Sequence, residues 1–376
     1  MKSLLVIIDG LGDEQIPALG GKTPFTYAPH HNIDKIATEG TCGSISICET
    51  DFVPESLGCI LRLLGVAPQD FPTNRAYLEL LAHQRDISEY EMVLRCNLVT
   101  VDANGKLTAF NAQGLTPAAM EAAATCANKL RKDIEFLHLS AYRNLLILDK
   151  NPELLRAGQV APPHESMGRQ INELLAPMCA KSLLLNQFIK ASTKALDKFA
   201  QNGQTYQFYP WGASERIEMR SFEERQHLRG GAVCAAEIVQ GIALALKLEQ
   251  ATLARATGEV DTDVVEKAEQ AFRLLAVKDF VMVHFNGTDE AAHRKNPLEK
   301  AAFISRIDRE FFGQLLPQLT EPTRIVVCGD HGTSSLTGKH LAGKVPIIAG
   351  TMGTTTEQAP EITKYQEVWQ YLFERS

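Results

Sequence analysis

The chain has 376 residues, more than one hydrophobic core usually supports, so a large domain carrying a second, smaller one is expected. With 45% hydrophobic and 22% charged residues, its composition excludes a fibrous or disordered chain. A formal net charge of −7 argues against a nucleic-acid-binding face, though not against a small anionic substrate held in a pocket made locally positive by metal ions.

Residues 4–8 form a continuous apolar run, as a strand buried on both faces should, and the run ends at Asp9-Gly10. It is too short for a signal peptide and no small-residue cleavage site follows; no stretch is apolar for long enough to cross a bilayer, and the cytoplasm is the expected address. Residues 32–39 read as a short helix closed by Gly40, and residues 57–64 as another closed by Gly65. Next come a strand at 91–102, a helix at 116–132, a strand at 142–148 and a loop-rich stretch at 152–164 with Pro162 and Pro163 adjacent. An inserted domain is expected at 69–172, leaving 1–68 and 173–376 as the core. Phe280–Phe285 reads as a strand, 298–316 as a helix with Ile304, Ile307, Phe311 and Leu315 on one face, and 324–328 as the next strand: a βαβ unit. The alternation predicts an α/β fold with a mostly parallel sheet flanked by helices. The eight cysteines include no CxxC pair, which disfavours a disulfide framework or a thiolate zinc site.

Three of the predicted strands run into acidic or histidine residues at their carboxyl ends: Asp9 after the first, Asn286-Gly287-Thr288-Asp289 after the second, Gly329-Asp330-His331 after the third. In open α/β sheets ligands bind at that edge. Asp289 and His293 are four apart and share a face if their turn is helical. Asp330 and His331 are adjacent, which suits ligands to two different ions, and His340 follows a loop rich in Gly, Ser and Thr. Carboxylates and imidazoles without thiolates suit two divalent ions, Mn²⁺ foremost, with Zn²⁺, Co²⁺ or Mg²⁺ as alternatives. Two such ions can clamp an in-line phosphoryl displacement. Ser56, immediately before the 57–64 helix, is either that helix's N-cap or a nucleophile facing a helix N-terminus that binds phosphate.

At this point the motifs become recognisable. VIIDGLGDEQIPALGGKTP, RCNLVTVD, PPHESMG, PWG, ATGEVDTD, GTDEAAH and GDHGTSSLTGKH occur in the order seen in the archaeal-type cofactor-independent phosphoglycerate mutases of the alkaline phosphatase superfamily, which the chain resembles over nearly its full length. The resemblance implies an alkaline-phosphatase-like core with an inserted, smaller α/β cap domain. It implies that Asp9, Ser56, Asp330 and His331 hold one ion and Asp289, His293 and His340 the other. It further implies a glycolytic phosphomutase that interconverts 2- and 3-phosphoglycerate through a phosphoserine at Ser56. The cap would grip the substrate through Arg95, Asn97, Arg143, His164 and Arg169, since arginine suits bidentate carboxylate and phosphate recognition. The expected partner is a small anionic phosphorylated substrate, with no nucleic acid and no membrane.

Two departures bear on the substrate. The family usually reads Ser-Asp-Thr-Ala-His from the nucleophile, where this chain has Ser56-Leu57-Gly58-Cys59-Ile60; before His164 it tends to have Asp-Pro, where this chain has Pro162-Pro163. A sulfatase reading fails because Gly58 and Ile60 stand where Pro and Arg are needed. Two alternatives stay open: a phosphatase or phosphotransferase acting on another small phospho- or phosphono-acid, and a catalytically inactive homologue that serves as a binding protein.

Overall fold

The computed structural model describes residues 1–47, 54–157, 160–353 and 359–373, and the chain divides into two compact units: Met1–Phe71 with Met219–Ser376, and Pro72–Glu218.

The first unit is built on a seven-stranded sheet in the order Gly40–Ser46, Lys344–Met352, Thr323–Cys328, Lys2–Ile8, Phe280–Phe285, Gly230–Val233, Glu249–Gln250. From Thr323–Cys328 onward every pairing is parallel, whereas Lys344–Met352 runs antiparallel to both of its neighbours. Leu4 to Ile8 are buried on both faces, as their unbroken apolar run requires. The helix expected at 298–316 begins at Pro297 with Asn296 as its cap and passes through a wider π-type stretch at Ile307–Phe312. Ile304, Ile307, Phe311 and Leu315 are fully buried in the core of this unit.

Gly40 does not close the helix His31–Thr38 with a left-handed turn; it opens the edge strand Gly40–Ser46. A Cβ there would lie 1.9 Å from the Ala349 carbonyl, so the residue is glycine because a neighbouring backbone passes against it.

The second unit is an antiparallel sheet whose central strand, Glu91–Asp102, pairs with Gln204–Glu215, Arg143–Asp149 and Leu107–Ala109. Met92, Leu94, Cys96 and Leu98 turn one face towards the helices Pro117–Asn128, Ile171–Lys181 and Leu183–Leu196. Val93, Leu145 and Ile147 turn the other towards Ala76–Ala82. This corrects the expected end of the insert at residue 172. The strand Gln204–Glu215 pairs with Glu91–Asp102 along nearly its whole length, so the unit reaches Glu218. The Pro162-Pro163 pair belongs to a short turn inside the unit, and part of the expected 152–164 loop is the helix Pro152–Ala157. Among the described residues, no helix is long and apolar enough to cross a membrane.

Candidate metal centre

Sheet register brings the strand ends together. Ile8 lies opposite Phe285 and Ile7 opposite Cys328, so Asp9, the Asn286–Asp289 turn and Asp330 emerge at one edge. Gly10 lets the chain turn there with φ +63°, and a Cβ on it would lie 2.7 Å from Asp289 Oδ1. Its N–H donates to Asp330 Oδ1 at 3.3 Å.

Three imidazoles enter this cluster tail first. His293 Nδ1 donates to the Gly338 carbonyl at 2.8 Å and His340 Nδ1 to the Pro54 carbonyl at 2.7 Å. A carbonyl can only accept, so in the neutral rings Nε2 keeps its lone pair. His293 Nε2 stands 3.0 Å from Asp289 Oδ2, and His340 Nε2 stands 3.9 Å from Asp289 Oδ1. The Thr333 hydroxyl donates to Asp289 Oδ1 at 2.5 Å and can accept from His331 Nδ1 at 3.3 Å. His331 Nε2 then faces Ser56 Oγ at 3.2 Å, Asp9 Oδ1 at 3.3 Å and Asp330 Oδ2 at 3.5 Å.

Lone pairs aimed at carboxylates repel unless a proton or a cation lies between them. Burial, and then the charges of Asp330 and Asp289, push the Asp9 carboxyl well above its ordinary range. Burial also pushes Asp289 upward, but the His293 hydrogen bond and the nearby His331 and His293 charges bring it below that range. The hydrogen bond to Asp289 raises His293 to about 9, whereas burial and His331 lower His340. Asp9 Oδ1 and Asp330 Oδ2 are buried without a hydrogen-bond partner. Ligating atoms of Asp289, His331 and His340 lie within 4.8 Å of one another, as do those of Asp9, His284 and Asp330. Crowded, desolvated carboxylates with inward imidazole nitrogens fit divalent cations of the Mn²⁺, Zn²⁺ or Co²⁺ kind.

Ser56 is the first residue of the helix Ser56–Leu63; Glu55 holds the cap position and makes no side-chain cap bond. The serine therefore does not cap the helix, and its Oγ points at His331. Leu57, Gly58, Cys59 and Ile60 behind it are buried and place no polar side chain there. Beneath the loops, the fully buried Lys300 donates to Asp13 Oδ2 at 2.8 Å and to the Gly12 and Thr333 carbonyls, and Asp13 accepts from Ser335. This network ties the segment after Asp9 to the segment after His331.

One residue of the cluster escaped the sequence reading. His284 lies inside the strand Phe280–Phe285, wholly buried, with Nε2 3.4 Å from Asp9 Oδ2. Burial lowers it to about 4, so its ring is neutral.

The polar residues expected to grip substrate lie in the second unit, four of them grouped. Arg95 Nε stands 2.9 Å from the buried Glu79 Oε2, and its guanidinium lies 4.0 Å over the Trp211 ring. Asn97 donates to the Phe110 carbonyl and accepts from Trp211 Nε1, which occupies both ends of its amide. Arg143 is opposite Asn97 in register and donates to Ser140 Oγ. The half-exposed His164 ring lies edge-on to Phe110 and Trp211. Arg169 lies on an exposed turn, its carbonyl accepting from Leu107.

Residues 1–372 match the Metalloenzyme superfamily. The 2,3-bisphosphoglycerate-independent phosphoglycerate mutase of Thermococcus kodakarensis is 32% identical over 364 residues, covering 92% of this chain and 87% of that one. The chain belongs to the 2,3-bisphosphoglycerate-independent phosphoglycerate mutase family. The resemblance read from the motifs is borne out, and membership in a metalloenzyme superfamily implies divalent metal ions. The fold is that of the PH0037 protein from Pyrococcus horikoshii, with a TM-score of 0.78 at 23% identity over 99% of this chain and 96% of that one. The cofactor-independent phosphoglycerate mutase of Thermoplasma acidophilum gives a TM-score of 0.60 at 18% identity over 99% of both chains.

Proposed function

We propose that the protein is a metal-dependent phosphomutase that interconverts 2- and 3-phosphoglycerate through a phosphoserine at Ser56. The observation that carries this reading is Ser56 Oγ standing 3.2 Å from His331 Nε2, at a helix N-terminus and beside Asp9 and Asp330. In this reading Asp9, Ser56, Asp330 and His331 hold one ion and Asp289, His293 and His340 the other, with His331 within reach of both clusters. Bound divalent ions, Mn²⁺ first among them, supply positive charge that favours the serine alkoxide and offsets charge on the transferring phosphoryl group. Ser56 Oγ loses its proton and takes the phosphoryl group from one hydroxyl oxygen of the glycerate. The backbone N–H groups that follow it donate to the phosphoryl oxygens. The glycerate oxygen freed by that transfer takes up the proton that Ser56 gave up. The other glycerate hydroxyl then loses its proton as it takes the phosphoryl group back, and Ser56 Oγ regains one. Arg95, Arg143 and Arg169 of the inserted unit, with Asn97 and His164, serve substrate recognition. A cytoplasmic location goes with this reading.

The deciding experiment is an assay on 2- and 3-phosphoglycerate without 2,3-bisphosphoglycerate. Interconversion should depend on added Mn²⁺ and vanish with chelator. Full turnover in protein verified to be metal-free would sink the reading. The apolar run Leu57–Ile60 favours one second reading, a phosphatase or phosphotransferase for another small phospho-acid; hydrolysis of other phosphoesters without mutase turnover would select it.

Metal binding at His293 must displace the proton that Asp289 holds there. Mn²⁺ affinity should therefore rise with pH up to about 9. In metal-free protein the folded pKa is raised, so the His293 contribution to stability is complete below about 6.5 and is lost as pH rises through about 9. Urea midpoints of chelated protein across that window should fall, and should fall less in His293→Ala.

A further inference from the structure

His284 presents an arrangement unlike that of the other site histidines. Its ring is fully buried, and neither nitrogen has a hydrogen-bond partner, in a part of the core where such groups are ordinarily satisfied. Its backbone is held firmly: Lys267 Nζ, itself buried, donates to the His284 carbonyl at 2.8 Å, and His284 lies opposite Ile7 in the sheet, two residues before Asp9. Its Nε2 is 3.4 Å from Asp9 Oδ2, while His331 Nε2 is 3.3 Å from Asp9 Oδ1. The two oxygens of this carboxylate thus each face an imidazole, and the orphaned Asp330 Oδ2 lies in the same group. Among the described residues of this group, four buried atoms have no hydrogen-bond partner: Asp9 Oδ1, Asp330 Oδ2 and both His284 ring nitrogens. An imidazole brought to two carboxylates is a nitrogen donor for a divalent cation.

We infer that His284 is a ligand of the cation held by Asp9 and Asp330, adding a nitrogen donor that the strand itself carries into the site. The inference rests on the metal-site reading above. It places a ligand inside a sheet strand, one residue from its carboxyl end, where pairing with Ile7 fixes its position. The other proposed ligands lie outside the central parallel strands, among them Asp289 and His293 on the helix Gly287–His293 and His340 on the two-residue strand His340–Leu341.

The test is Mn²⁺ binding by equilibrium dialysis, together with the visible spectrum of Co²⁺-loaded protein. Wild type, His284→Phe and His284→Gln are compared, with circular dichroism as the check on folding. Phenylalanine keeps the ring and removes the donor; glutamine keeps a polar atom if the apolar ring disturbs folding. The wild type should bind two ions. In the folded variant, one of them should weaken by about tenfold or more while the other is unchanged. The Co²⁺ absorption of the weakened ion should shift as a nitrogen donor is lost, which a purely structural role would not produce. Two ions bound with wild-type affinities and an unchanged Co²⁺ spectrum in a folded variant would overturn the assignment of His284 alone. A wild type that binds no divalent ion would overturn the metal-site reading and this inference with it.

Discussion

Ser56→Ala should lower mutase turnover by ~10³-fold or more, the scale seen when a nucleophile is removed, while the protein keeps most of its bound metal. The substitution removes one hydroxyl oxygen and leaves Asp9, Asp330 and His331 in place. Ser56 makes no capping bond, so the helix Ser56–Leu63 loses nothing it depends on, and thermal stability should stay close to wild type. A turnover rate within tenfold of wild type in metal-loaded Ser56→Ala would remove the serine from the reaction. Loss of both ions would show that its main part is ligation.

Lys300→Met should be among the most destabilising single changes in the chain, by about 3–5 kcal/mol, because it strands a buried carboxylate. Both side chains of the Lys300–Asp13 pair are fully buried, and the ammonium also satisfies the Gly12 and Thr333 carbonyls. Methionine fills the space but donates nothing. Asp13 then keeps the Ser335 and Glu14 donors but loses its counter-charge, and the Gly12 and Thr333 carbonyls each lose a donor. Adding Asp13→Asn should recover part of the loss, since it removes the uncompensated charge. Urea midpoints of the wild type, the two single variants and the double variant measure this. A Lys300→Met midpoint equal to wild type would mean that the pair contributes nothing to holding the two loops.

The cluster of candidate ligands was legible in the sequence for a physical reason. A strand buried on both faces is an unbroken apolar run, so a polar residue just beyond it stands out, and Asp9, Asp289 and Asp330 do. Ser56 stood out as well, and the structure makes it the first helical residue instead of the cap, a distinction that position alone cannot draw. His284 was missed because it lies within the run FVMVHF, where a lone histidine reads as one more strand residue. Only register, with Ile7 opposite, shows that it lies beside Asp9. The edge strand Gly40–Ser46 carries no apolar alternation, and its partner Lys344–Met352 lies some three hundred residues away, so no local pattern could reveal it. The extent of the inserted unit was misjudged because a proline pair resembles a linker. What decides the boundary is a long-range pairing, Gln204–Glu215 against Glu91–Asp102.

The order in which the first unit's sheet is assembled has a consequence for synthesis of the chain. Lys2–Ile8 is made long before either of its partners, Phe280–Phe285 and Thr323–Cys328. The stretch Pro72–Glu218 is contiguous and can fold while it is still being made. At roughly 5–20 residues per second the wait for the first partner strand exceeds ten seconds. Throughout that time Leu4 to Ile8 is an unpaired, wholly apolar segment of high β-propensity, the kind that pairs with other chains. Yield in a heterologous host should therefore respond to co-expressed chaperones and to slower initiation more than to any change in the stability of the finished protein.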